Sequence, residues 1–108
     1  MILVTGHVVA SDATRDEMLR ISLEHVHRSR AEPGCVEHGV YVDPENPLKL
    51  HFFERWTDEA ALKAHFAVPA SRAFFKRLRD LAADRGAMQV YAGETLALRA
   101  GCGWRGNE

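Results

Sequence analysis

"HFFERWTDEAALKAHF", residues 51–66, decides the fold. It begins as a strand and ends as a helix. Up to Trp56 the residues are aromatic or long-chained, which suits a pleated surface. From Thr57 onward they become a cap, two acids and an alanine-rich run. Thr57 is therefore the expected N-cap of a helix starting at Asp58, with acids in its first turn.

Working outward, the flanks repeat this alternation. Residues 2–9 are β-branched and apolar and read as a strand. Asp12 or Thr14 can cap a helix over 15–30, whose apolar stripe is Met18, Leu19, Leu23 and Val26. "AEPGC" stops that helix at Pro33 and Gly34. A second strand runs from Cys35 to Val42, "DPENP" makes a five-residue turn, and a third strand runs from Leu48 to Trp56. Pro69 divides the next helix, whose second part covers about 70–85 and stops at Gly86. A fourth strand lies between Met88 and Leu98. The order β-α-β-β-α-β is the ferredoxin-like pattern of the α+β class, an antiparallel sheet with helices on one face. One domain over 1–99 is expected, followed by a tail over 100–108 that holds Cys102 and Trp104. No internal repeat is evident.

Composition narrows the function. Fourteen basic and 15 acidic residues give a net charge of -1, with no basic excess to suggest nucleic acid. No apolar run approaches the ~20 residues of a membrane span. The start "MILVTGHVVA" reads as a strand rather than a leader, so a cytoplasmic setting is expected. The two cysteines, Cys35 and Cys102, have no metal-type spacing, and Cys35 is expected as a small buried residue.

Strand alternation sorts the hairpin into two faces. Val36, His38, Val40 and Val42 share one side, and a five-residue turn would pair Val42 with Leu48. Leu50, Phe52, Glu54 and Trp56 join that side, under the helices. Glu37, Gly39, Tyr41, Lys49, His51, Phe53 and Arg55 take the other, a mixed surface that suits a subunit interface. Glu54 thus points among aromatics. A buried carboxylate is costly unless it is paired or protonated. It is either a satisfied structural group or the acid or base of a pocket. His65 lies on the apolar stripe of its helix, and His38 lies diagonal to Glu54. Each is a packed core imidazole or a proton acceptor. Trp56 and Phe52 are core residues or the walls that hold a planar ligand. His7 and Phe75 complete the substrate-side candidates.

No metal site is expected. His25 and His27 are two apart on a helix and point in different directions, and no HExxH occurs. No GxGxxG, P-loop or GxSxG is present, so no cofactor and no serine nucleophile are expected.

"EPGCVEHGVYVDPENP" and "LHFFERWTDEAALKAHFAVPASRAFF" resemble the antibiotic biosynthesis monooxygenase family, over about residues 3–98. The resemblance implies a dimeric α/β barrel of ferredoxin-like domains. It also implies chemistry on aromatic polyketides, quinols, haem or a signal molecule. Trp56 matches the strand-end Trp of the polyketide oxygenases, but Phe52 stands where they carry Asn. His65 and Pro69 match the family's H-x-x-x-P-H-F, with Ala70 in place of the second His. Phe74, Phe75 and Lys76 occupy the region of the haem-ligating His, which disfavours haem degradation.

The leading expectation is a cofactor-independent monooxygenase of an aromatic or quinol-type molecule. His65 or His38 is the base, Glu54 orients it, and Trp56 and Phe52 hold the ring. The alternatives are a non-catalytic dimeric domain that binds a small molecule, or an isomerase or lyase of a small carbonyl compound. All require that the even-numbered side chains from Val36 to Trp56 line a hollow roofed by the segment bearing His65.

Overall fold

A computed structural model describes residues 1–98; the tail with Cys102 and Trp104 lies outside the described residues. The elements are β1 (Ile2–Val9), α1 (Arg15–Ser29), β2 (Cys35–Asp43), β3 (Asn46–Trp56), α2 (Glu59–Ala67), α3 (Pro69–Leu81) and β4 (Asp84–Ala92). The strands form one antiparallel sheet in the order β2-β3-β1-β4. This is the expected ferredoxin-like arrangement, with the second helix split at Pro69. Proline at the first position of α3 has no N–H to lose there, so it starts a helix that it would break further in.

Val4 and Val8 of β1 and Leu50 and Trp56 of β3 are buried on one face. α1 supplies Met18 and Val26 to that layer, α2 supplies Leu62, and α3 supplies Phe74 and Leu78. The apolar residues form two groups. Val8, Met18, Leu50, Phe74 and Leu78 pack at one end, and Val4, Trp56 and Leu62 at the other. Along β3, Glu54 falls between Leu50 and Trp56 and separates the two groups.

Several sequence expectations are corrected. The hairpin turn is tighter than five residues, since Asp43 pairs with Asn46 and Val42 pairs with Leu50 rather than Leu48. The slip is two residues, so every side chain keeps its face. It brings His38 directly opposite Glu54 instead of diagonal to it. A bulge at Cys35–Glu37 sets Cys35 opposite Trp56 and packs it against the second apolar group. Val36, at 45% exposure, is thereby turned out, and Val42 is also exposed.

Asp58, not Thr57, caps α2 by accepting a hydrogen bond from the Ala61 N–H at 2.8 Å. The buried stripe of α1 is Met18, Ser22, His25, Val26 and Ser29, while Leu23 is exposed. Gly86 does not end a helix. α3 stops at Leu81, and β4 begins at Asp84 because the chain is captured by β1: the Ala83 N–H donates to the Val9 carbonyl at 2.9 Å. Every residue of β4 is exposed, for among the described residues no helix packs down onto it.

Two glycines hold the connections. Gly34 has φ +83°, and a Cβ there would sit 2.5 Å from Ala61 Cβ and 2.8 Å from Thr57 Oγ1. Gly86 has φ +66° beside the β1 bulge, where a Cβ would collide with the His7 carbonyl. A left-handed backbone and a blocked Cβ both penalise alanine. Gly34→Ala and Gly86→Ala should each lower unfolding free energy by about 2 kcal/mol or more in urea titrations. Gly93→Ala, with nothing within 4 Å of the added carbon, should stay within about 0.5 kcal/mol of the parent.

Candidate functional site

Four elements converge where the apolar layer is interrupted. α1 brings His25, β2 brings His38, β3 brings Glu54 and Trp56, and α2 brings His65. All five side chains are buried. The imidazole centroids of His25, His38 and His65 lie 5.1–5.5 Å apart.

Glu54 is the hub. Its Oε1 accepts a hydrogen bond from the Trp56 indole N–H at 2.9 Å. The same oxygen lies 3.4 Å from His38 Nε2 and 4.0 Å from His65 Nε2. Burial pushes the Glu54 pKa up, but His38, the Trp56 N–H and His65 outweigh it and hold the carboxyl below its ordinary value. Glu54 is therefore an ionised carboxylate within an apolar layer.

The histidines differ in their outer contacts. His65 Nδ1 meets Glu32 Oε1 at 2.8 Å. With Glu32 as the acceptor, the proton is assigned to Nδ1 and the Nε2 lone pair faces Glu54. His25 Nδ1 lies 3.0 Å from Arg28 Nη2. A guanidinium can only donate, so Nδ1 accepts and Nε2 carries the proton. The His25 ring stacks on Phe74 at 4.0 Å, nearly parallel. Neither His38 nitrogen forms a hydrogen bond to a described residue, and nor does His65 Nε2.

Beside this cluster, between α3 and the β3-β1-β4 side of the sheet, is a cavity of about 430 Å³. That is within the ~300–1,000 Å³ of small-molecule sites. Its walls are mainly apolar, with Phe52, Phe66, Phe74 and Phe75 among them. Glu54 and His25 are the buried polar side chains that reach it. Arg79, Arg85 and Met88 border it toward the exposed β4.

The sequence candidates thus divide into two layers. Phe52, Phe75 and Glu54 form the cavity wall. His38, His65 and Trp56 lie behind it, and Trp56 packs at full burial against Val4 and Leu62 instead of offering an open ring face. His7 touches the cavity edge, but its ring stands 6.3 Å from that of His51, its partner across the strands. Those rings share the open face of the sheet, so His7 contributes backbone. The roof is mainly α3 rather than the His65-bearing α2.

The sequence reading missed His25 and Glu32. Helical spacing correctly separated His25 from His27, but it said nothing of imidazoles arriving from other elements. A signal was present in Met18, Ser22, His25 and Ser29, spaced four, three and four apart. Small serines on that stripe let α1 approach the sheet, and the Ser29 hydroxyl donates to the His25 carbonyl at 2.6 Å.

Burial, with His38, His65 and Arg28 nearby, depresses the His25 pKa to about 2. Below about pH 6.5 the unfolded chain binds a proton at His25 that the folded chain refuses, so stability is present above that pH and lost as pH falls. The expected slope is about 1.4 kcal/mol per pH unit between about pH 6 and about pH 4. Glu54, with its lowered pKa, adds a loss of the same sign in the acid limb. Urea unfolding across this range should show the slope in the parent and a flatter limb in His25→Gln.

Residues 1–77 match the model of the family described as antibiotic biosynthesis monooxygenase. An uncharacterized protein of Synechocystis sp., sll1783, is 31% identical over 90 residues, which are 83% of this chain and 61% of that protein. The chain thus spans about three-fifths of that relative's length. YcnE of Bacillus subtilis (strain 168), named provisionally as a monooxygenase, is 29% identical over 83 residues, 75% of this chain and 85% of that one. A conserved protein from Methanosarcina mazei Go1 superposes with a TM-score of 0.81 at 24% identity, over 86% of this chain and 92% of that one. A crystal structure of an antibiotic biosynthesis monooxygenase gives 0.80 at 24% identity, over 87% and 99%. At that identity the two structures speak for the fold alone. With 77 of its 108 residues inside the family match, this chain belongs to the antibiotic biosynthesis monooxygenase family.

Proposed function

We propose that the chain is a monooxygenase that oxidises an electron-rich aromatic or quinol-type molecule without a resident cofactor. The observation that carries this reading is a buried carboxylate, Glu54, set in the wall of an aromatic-lined cavity and backed by His38 at 3.4 Å. The family and the provisional name of YcnE support the reaction class.

A phenol or enolisable ring bound in the cavity loses its proton to Glu54, and His38 is placed to take that proton on. The ring anion, shielded from water by Phe52, Phe74 and Phe75, becomes a strong electron donor to oxygen. Dioxygen bonds a ring carbon as a hydroperoxide; the O–O bond then breaks as that carbon loses its remaining proton, so that one oxygen atom stays as a carbonyl and the other leaves as water. The substrate supplies every electron in that sequence.

We infer further that two copies pair. Met88 and Val90 are exposed on β4. The cavity borders the uncovered β4 segment from Arg85 to Met88. A partner subunit laid there would bury that surface and close the cavity.

Oxygen uptake with a panel of hydroquinones and anthrones, without added flavin or metal, should exceed the buffer rate. Glu54→Gln should lower kcat/KM by about 10²–10⁴-fold while circular dichroism stays native. If ligands of the panel stabilise the protein thermally but are never consumed, the cavity is a binding site only. Sedimentation equilibrium should return twice the chain mass; a monomer at all concentrations would remove the pairing.

A further inference from the structure

We propose that His38, His65 and Glu54 form a binding site for one divalent transition-metal ion of the zinc or iron type. This is a binding claim with a binding readout, so its failure and the failure of the reaction proposed above are distinguishable. An ion and a proton compete for the same lone pairs, so a filled site would silence the base.

One nitrogen from each of His25, His38 and His65 lies within 4.8 Å of the others. Glu54 Oε1 is 3.4 Å from His38 Nε2 and 4.0 Å from His65 Nε2. Ligands about 2.1 Å from a tetrahedral ion stand about 3.4 Å apart; the Glu54–His38 distance matches that spacing and the Glu54–His65 distance is a little longer.

Both His38 nitrogens and His65 Nε2 are buried and have no hydrogen-bond partner among the described residues. Buried polar atoms ordinarily find partners, and a metal ion satisfies a bare imidazole lone pair. Glu32 accepts from His65 Nδ1 at 2.8 Å and so fixes the tautomer that aims Nε2 inward. A carboxylate behind a ligating histidine is the usual second contact of such sites.

Two imidazoles and a carboxylate select first-row transition ions over magnesium or calcium. Glu54 in the cavity wall gives the ion a route in. His25 completes the cluster without ligating, because its Nδ1 accepts from Arg28 and its Nε2 carries the proton.

Protein stripped by a chelator is titrated with Zn²⁺ calorimetrically and with Co²⁺ by visible absorption. One ion per chain, the strong visible bands of four- or five-coordinate Co²⁺ and a raised melting temperature are expected, with no response to Mg²⁺. His38→Gln and His65→Gln should weaken Zn²⁺ binding at least about 100-fold, and the milder Glu32→Gln about 10–100-fold. His25→Gln should stay within about tenfold of the parent. His51→Ala should bind as the parent does, which separates the cluster from the half-exposed His51–Asp43 pair. The proposal is overturned if no saturable binding occurs. It also fails if binding survives both His38→Gln and Glu32→Gln, or if His51→Ala abolishes it.

Discussion

The structure turns on one buried charge. Glu54 lies between two apolar groups on the inner face of β3, where an isolated carboxylate would take up a proton rather than remain charged. It stays ionised because the Trp56 N–H, His38 and His65 converge on it. Those partners come from β3, β2 and α2, so the charge ties the hairpin to the helical layer. Replacing the set with well-packed apolar residues would give a more ordinary core, and polar sets of this kind are often tolerated at a cost in stability. Their position beside a cavity is what gives them chemical meaning.

The cavity follows from a mismatch between the two layers. The four strands are wider than the helical cover, and α3 reaches the sheet without descending onto β4. Four phenylalanines from β3, α2 and α3 line the space without filling it, while Gly6 on β1 contributes no side chain. The polar cluster sits on the covered side of this space and the exposed β4 on the other. Ligand access, proton transfer and subunit pairing therefore meet along a single edge of the fold.

Family membership and site chemistry rest on different observations. The match over residues 1–77 covers the first three strands and most of the helical layer. It speaks for a shared scaffold, and the chemistry has to be argued from the side chains. Here those side chains are three histidines with distinct surroundings. His65 is oriented by Glu32, His25 is held neutral by burial and its neighbours, and His38 faces Glu54 across the ladder.

The sequence by itself determined the order of elements, the inward direction of Glu54 and Trp56, and the aromatic character of the hairpin. These follow from period-two alternation, capping residues and the Pro and Gly punctuation, all of which are local. Tertiary structure alone decided the rest. The hairpin register depends on how Asp43–Asn46 closes, which moved His38 opposite Glu54. The start of β4 depends on capture by β1, which overrode helical continuation up to Gly86. The meeting of His25, His38 and His65 depends on three separate elements, α1, β2 and α2, reaching one point. Spacing along the chain cannot carry that information, because residues 13 and 27 positions apart become neighbours only when the helices dock on the sheet.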